Sequence, residues 1–204
     1  TETYTVTDAS GNTADCSFSI TVIDNENPTI TCPANITVNN DAGICGAVVN
    51  YTPPTGSDNC PGAVTTQTAG QGSGSTFPVG STTETYTVTD ASGNTADCSF
   101  DVTVIDNENP SITCPANITV NNDAGICGAV VNYTPPTGTD NCPGAVTTQT
   151  GGQGSGATFP VGSTTETYTA TDASGNTATC SFSITVIDNE NPTITCPANI
   201  TVNN

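Results

Sequence analysis

The chain has 204 residues, 19 of them Asp or Glu and none Lys, Arg or His, for a formal charge of −19. Nucleic acid is excluded as a partner, because cations are needed to displace phosphate counterions. The chain does not read as an enzyme, because it has neither His nor Lys to move a proton near neutral pH.

Every element that follows occurs more than once, because the sequence repeats with a period of 82 residues. Sliding the chain by that period aligns 122 pairs, of which 111 are identical. In chain order, the polar, Pro-ended motif Asp24-Asn25-Glu26-Asn27-Pro28 comes first and separates two apolar runs, as a linker does. Ile36 and Val38 then begin an alternating run, which Asn39-Asn40-Asp41-Ala42-Gly43 breaks. Val49 and Tyr51 continue the alternation up to Thr52-Pro53-Pro54-Thr55-Gly56, and Gly70-Gln71-Gly72-Ser73-Gly74 is the next breaker. Tyr86 and Val88 lie opposite Thr85, Thr87 and Thr89 and run into the turn Ala91-Ser92-Gly93-Asn94. Cys98, Phe100, Val102 and Val104 then share one face, with Ser99, Asp101 and Thr103 on the other. Period two in Thr, Val, Ile and Tyr is the pattern of half-buried antiparallel strands, and no stretch has the helical period. No run approaches the ~20 apolar residues of a membrane helix, so no membrane insertion is expected.

The linker motif recurs at Asp106-Asn107-Glu108-Asn109-Pro110 and Asp188-Asn189-Glu190-Asn191-Pro192. Taken as the boundary, it gives full repeats at 25–106 and 107–188. Residues 1–24 read as the tail of a preceding repeat and 189–204 as the start of a following one, as in a stretch of a longer array. Six or seven short strands in 82 residues predict an all-β fold: tandem immunoglobulin-like β-sandwich repeats in an elongated filament.

With no cationic side chain, the carboxylates can be neutralised only by dispersal, hydrogen bonds or bound metal. Calcium takes six to eight oxygens, and the chain is rich in Asp, Asn and Thr. The candidate ligands are Asp24, Glu26, Asp90 and Asn94 at the first junction, and Asp106, Glu108, Asp172 and Asn176 at the second. The competing reading is that Asp90 and Asn94 cap a hairpin turn and the linker acids are merely solvated. Asn35, Asn117 and Asn199 each open an Asn-x-Thr triplet of the glycosylation type. Tyr51 and Tyr133 fall on the apolar alternation and read as core rather than as sugar-stacking surface rings. Glycosidase-like carboxylate pairs such as Asp24 and Glu26 lie in a linker without a cleft, so no catalytic residue is assigned.

Three motifs in fixed order carry a family resemblance: Ile30-Thr31-Cys32-Pro33-Ala34-Asn35-Ile36-Thr37-Val38, Thr76-Phe77-Pro78-Val79-Gly80, and Thr87-Val88-Thr89-Asp90-Ala91-Ser92-Gly93-Asn94-Thr95-Ala96. Each whole repeat resembles the hyalin repeat (HYR), an immunoglobulin-like extracellular module. The near-identical copies and their linker further resemble the SprB-type gliding-motility adhesins of Bacteroidetes. That resemblance implies a cell-surface filament exported by type IX secretion, with a structural and adhesive role. Neighbouring repeats of the same chain are the expected partners, with surface polysaccharide as a further one if each repeat binds weakly by avidity.

Ten cysteines point to an oxidising compartment. Four per repeat allow three pairings, and spacing alone does not choose. In a seven-strand sandwich the first and last strands run the same way, which would place Cys32 and Cys98 at one end. Cys45 with Cys60 is then what remains, and hyalin repeats that keep only the first pair imply the same separation. The expectation is Cys32–Cys98, Cys45–Cys60, Cys114–Cys180 and Cys127–Cys142, with Cys16 and Cys196 unpaired. A bond from Cys16 to Cys32 across the linker would have to span roughly 40–50 Å if the copies are in line, and a disulfide spans about 7 Å at most.

Overall fold

The computed structural model describes residues 1–202, and among these there is no helix. A hairpin comes first, β1 (Glu2–Thr7) with β2 (Thr13–Phe18). The first repeat then contributes six strands: β3 (Ile36–Asn39), β4 (Gly46–Val48), β5 (Val64–Ala69), β6 (Thr76–Pro78), β7 (Gly80–Thr89) and β8 (Thr95–Ile105). The second repeats them as β9 (Ile118–Asn121), β10 (Gly128–Val130), β11 (Val146–Gly151), β12 (Thr158–Pro160), β13 (Gly162–Thr171) and β14 (Thr177–Ile187).

In the second repeat a four-stranded sheet of order β11-β13-β14-β9 faces the two-stranded sheet β10-β12, and the first repeat has the same order, β5-β7-β8-β3 and β4-β6. The alternation read from sequence is the pleat: along β14, Phe182, Ile184 and Val186 are buried while the residues between them are partly exposed. They pack with Ala129, Val131, Phe159 and Tyr168 into one core. Each fully buried Val, Ile or Phe in it contributes roughly 1.5–3 kcal/mol. The first and last strands of the sandwich do run parallel, Ile184 opposite Ile118 and Val186 opposite Val120. That direction brings Cys114, just before β9, to Cys180 in β14, with Cα atoms 5.6 Å apart in the bond Cys114–Cys180. Cys32–Cys98 has the same Cα separation.

The other two expected pairs do not form. Cys45 bonds Cys142, 97 residues away, with Cα atoms 4.7 Å apart, while Cys60 and Cys127 are exposed thiols, as are Cys16 and Cys196. The reason lies in the course of the chain around residues 39–47. The molecule divides into two compact units, one of Thr1–Val38 with Val48–Val104, the other of Asn39–Ala47 with the chain from Ile105 onward. The Asn39–Ala47 loop thus belongs to the second unit although it runs from the end of β3 into the start of β4 of the first repeat. Asn40 N donates to Ile105 O at 2.8 Å and Asn107 N to Asn40 Oδ1 at 3.1 Å. Glu108 Oε2 accepts from Gly43 N at 2.8 Å, a cap on a turn that Gly43 makes with φ at 72°. The loop presents Cys45 to Cys142 of its own unit.

Candidate functional site

The acidic centre of the second unit is built from three loops. Asp106, 4% exposed, accepts from Glu108 N at 3.2 Å and Ser174 Oγ at 3.5 Å. Asn176 Nδ2 donates to Asp106 O at 3.1 Å and to Asp172 Oδ2 at 2.8 Å. Asp172 Oδ1 takes Ser174 N at 2.9 Å and Asn176 N at 2.8 Å, so this carboxylate closes the Asp172–Asn176 turn. The same set recurs in the first unit, where Asp90 takes Ser92 N and Asn94 N, each at 2.8 Å, and Asn94 Nδ2 reaches Asp24 O at 3.2 Å. Burial works against the ionisation of Asp90 and Asp172, but the side-chain and backbone hydrogen bonds from Asn94 and Asn176 outweigh it and hold both below 3.8.

The candidate calcium ligands are therefore divided. Asp24 meets Asn94 and Asp106 meets Asn176, but the carboxylates of Asp90 and Asp172 are occupied with their own turns. Glu26 Oε2 accepts from Asn59 Nδ2 at 2.8 Å, and Glu108 caps the Asn39–Ala47 loop. What the linker acid meets instead is an aspartate that the sequence reading passed over. Asp106 lies beside Asp140 and Cys142, and Asp24 beside Asp58 and Cys60, with one ligand atom of each residue within 4.8 Å of the others. Asp140 Oδ2 accepts from Cys142 N at 2.9 Å, while Asp140 Oδ1 and the neighbouring Asn141 Oδ1 are buried without a partner. In the first unit the orphan is Asp24 Oδ2, which has no N–H or O–H donor in reach. Weak acceptance of the Cys60 S–H by Asp24, and then the charge of Asp24, push that thiol above its ordinary 9.0. The signal was present in the sequence, as Asp-Asn-Cys-Pro-Gly at 58–62 and 140–144 is an Asx turn beside a cysteine.

A second missed residue lies in each core. Glu84 and Glu166 are fully buried in a chain with no Lys, Arg or His. Glu84 Oε2 accepts from Tyr51 Oη and Gln67 Nε2, each at 2.7 Å, and from Gly72 N at 3.0 Å, and Oε1 accepts from Gln71 N at 2.6 Å. Gly70 makes this cradle possible: its φ is 100°, and a Cβ there would collide with the Glu84 carboxylate. Tyr51 stacks edge-on against Phe100 at 5.0 Å, and Tyr133 does so against Phe182, so both rings pack on core residues. Burial, then hydrogen bonds with Tyr86 and Glu84, raise Tyr51 well above its ordinary 10.0. Parity was the clue, since Glu84 is in step with Tyr86 and Val88 and so points inward.

The HYR domain profile matches residues 23–104 and 105–186. Hyalin of Lytechinus variegatus is 40% identical over 205 residues, covering 97% of this chain and 38% of that protein. Hyalin of Strongylocentrotus purpuratus is 38% identical over 207 residues, covering 97% of this chain and 17% of that protein. The chain thus spans less than half the length of these relatives. Among solved structures, Protocadherin Gamma B2 extracellular cadherin domains 3–6 superpose with a TM-score of 0.40 at 14% identity, over 87% of this chain and 55% of that one.

Proposed function

The chain belongs to the HYR domain family, and we propose that its repeats form the structural stalk of a long extracellular adhesin filament. The observation that carries this reading is the repetition itself: two copies with the same six strands, in the same order, each closed by the same Cys–Cys bond. Copies this alike supply length. The charge of −19 favours solubility and repulsion between filaments, and a chain without Lys or Arg offers trypsin no cut site. The narrower role, in surface gliding after type IX secretion, follows from the resemblance of the linker and the copies to SprB-type adhesins. The chain immobilised at a sensor surface is expected to bind no polysaccharide on a glycan array. Saturable glycan binding would replace the stalk with a weak-binding module that acts by avidity.

We propose also that calcium sits at the acidic centres, on Asp106, Asp140 and Asn141 in the second unit and on Asp24 and Asp58 in the first. Two buried, unpartnered oxygens beside a buried carboxylate, in a chain with no cationic side chain, support this reading. Glu26, Asp90, Asn94, Glu108, Asp172 and Asn176 would then hold the surrounding loops. Calcium at about ten times its Kd should add ~1.4 kcal/mol, or about 6 °C in Tm. A chelator should remove that gain, and Asp140→Asn should abolish it in the second unit. An equal gain from sodium at matched ionic strength would reduce the effect to charge screening.

A further inference from the structure

The bond between Cys45 and Cys142 joins a cysteine of one repeat to a cysteine of the next, and each has a copy in the chain that is unpaired. Cys127 is Cys45 displaced by one period, and Cys60 is Cys142 displaced by one period in the other direction. The surroundings are copied as well. The Cys45 loop is held by Asp41 N to Gly46 O at 2.7 Å and Ile44 N to Asp41 O at 2.9 Å. The Cys127 loop has Asp123 N to Gly128 O at 2.7 Å and Ile126 N to Asp123 O at 3.0 Å. Gly43 and Gly125 both turn with φ at 72°, and the linker that follows caps both: Glu108 on Gly43 N, and Glu190 on Gly125 N at 2.9 Å. On the other side, Cys60 N and Cys142 N each donate to the aspartate two residues earlier at 2.9 Å. The unpaired cysteines therefore sit in the same backbone settings as the bonded ones and lack only the neighbouring copy.

We propose that Cys60 and Cys127 are the two open halves of a junction disulfide, each made to bond the adjacent tandem copy of the same chain. Cys60 would take the Cys45 counterpart of a copy before it, and Cys127 the Cys142 counterpart of a copy after it. Every junction of an array is then crossed by two covalent paths, the peptide linker and one disulfide. Each bond forms by thiol–disulfide exchange. The thiolate of one cysteine attacks a disulfide donor of the oxidising compartment, and the second cysteine displaces the donor sulfur from the mixed disulfide. Two protons are released from the cysteines, and their two electrons leave with the donor as a pair of thiols.

Counting thiols tests this, in denaturant without reductant, on the 204-residue chain and on the same chain extended by one further 82-residue copy, both from an oxidising compartment. Four thiols are expected in the shorter chain, Cys16, Cys60, Cys127 and Cys196. Four are also expected in the longer one, because Cys127 and Cys196 become bonded and the added copy brings two new open cysteines. Cys127→Ser in the longer chain should raise the count to five by freeing its partner in the added copy, whereas Cys60→Ser should lower it to three. Two thiols in both chains would mean that pairs form inside each repeat, which overturns the proposal. So would a disulfide-linked dimer of the longer chain that Cys127→Ser abolishes, because Cys127 would then be joining separate molecules.

Discussion

Replacing Cys32 and Cys98 together by serine is expected to destabilise the first repeat by about 4 kcal/mol, the chain-entropy value for a closed loop of this length. The bond spans a sequence separation of 66 and ties the segment before β3 to the middle of β8. It therefore restricts almost the whole unfolded repeat, and the core beneath it is small. Stabilities of single domains are commonly 5–15 kcal/mol, so a loss of this size removes a large share of what a repeat has. Urea unfolding should show the first repeat melting early while the second, still closed by Cys114–Cys180, keeps its midpoint. A loss below about 1 kcal/mol would show that the unfolded repeat is already compact enough for the bond to restrict little.

Glu84→Ala should rank next. The substitution removes a fully buried carboxylate that accepts from Tyr51 Oη, Gln67 Nε2, Gln71 N and Gly72 N. Tyr51 Oη keeps its bond with Tyr86 Oη and Gln67 Nε2 its bond to Ala69 O, so the two backbone N–H groups bear most of the loss. Each donor left unsatisfied costs roughly 1–3 kcal/mol unless water enters, so a total of about 4 kcal/mol is expected once some hydration is allowed. Glu84→Gln keeps the shape but turns an amide toward Gln71 N or Gly72 N, and should cost about half as much. Equilibrium unfolding of both variants checks the order. If Glu84→Ala were as stable as the parent chain, the network would be an ornament of the core and not a support for it. Glu166 in the second repeat accepts the same four bonds and should respond alike.

How far these features were legible depends on the range of the force that sets them. The strands were legible because pleating is local: Phe100, Val102 and Val104 alternate with Asp101 and Thr103 whatever lies beyond them. The same parity marks Glu84 as inward, but a buried acid with no cation is against expectation until its four donors are seen to converge. The turns at Asp90–Asn94 and Asp172–Asn176 were legible as capped turns because each is closed by its own side chains. The Asx turns of Asp58 and Asp140 were open to the same reading, but not their place beside Asp24 and Asp106, which comes from what stands next to them after folding.

The sequence by itself determined the period of 82, the all-β pattern, the four cysteines of each copy and the charge that no internal cation offsets. All of these are properties of composition and near-neighbour spacing. The partner of Cys45 and the unit to which Asn39–Ala47 belongs were decided only in three dimensions. A disulfide selects by the separation of two Cα atoms, a few ångströms, and is indifferent to whether they are 15 or 97 positions apart in the chain. The nearer cysteine in sequence lost because the loop carrying Cys45 is held by Ile105, Asn107 and Glu108, residues at the boundary where the first repeat ends and the next begins.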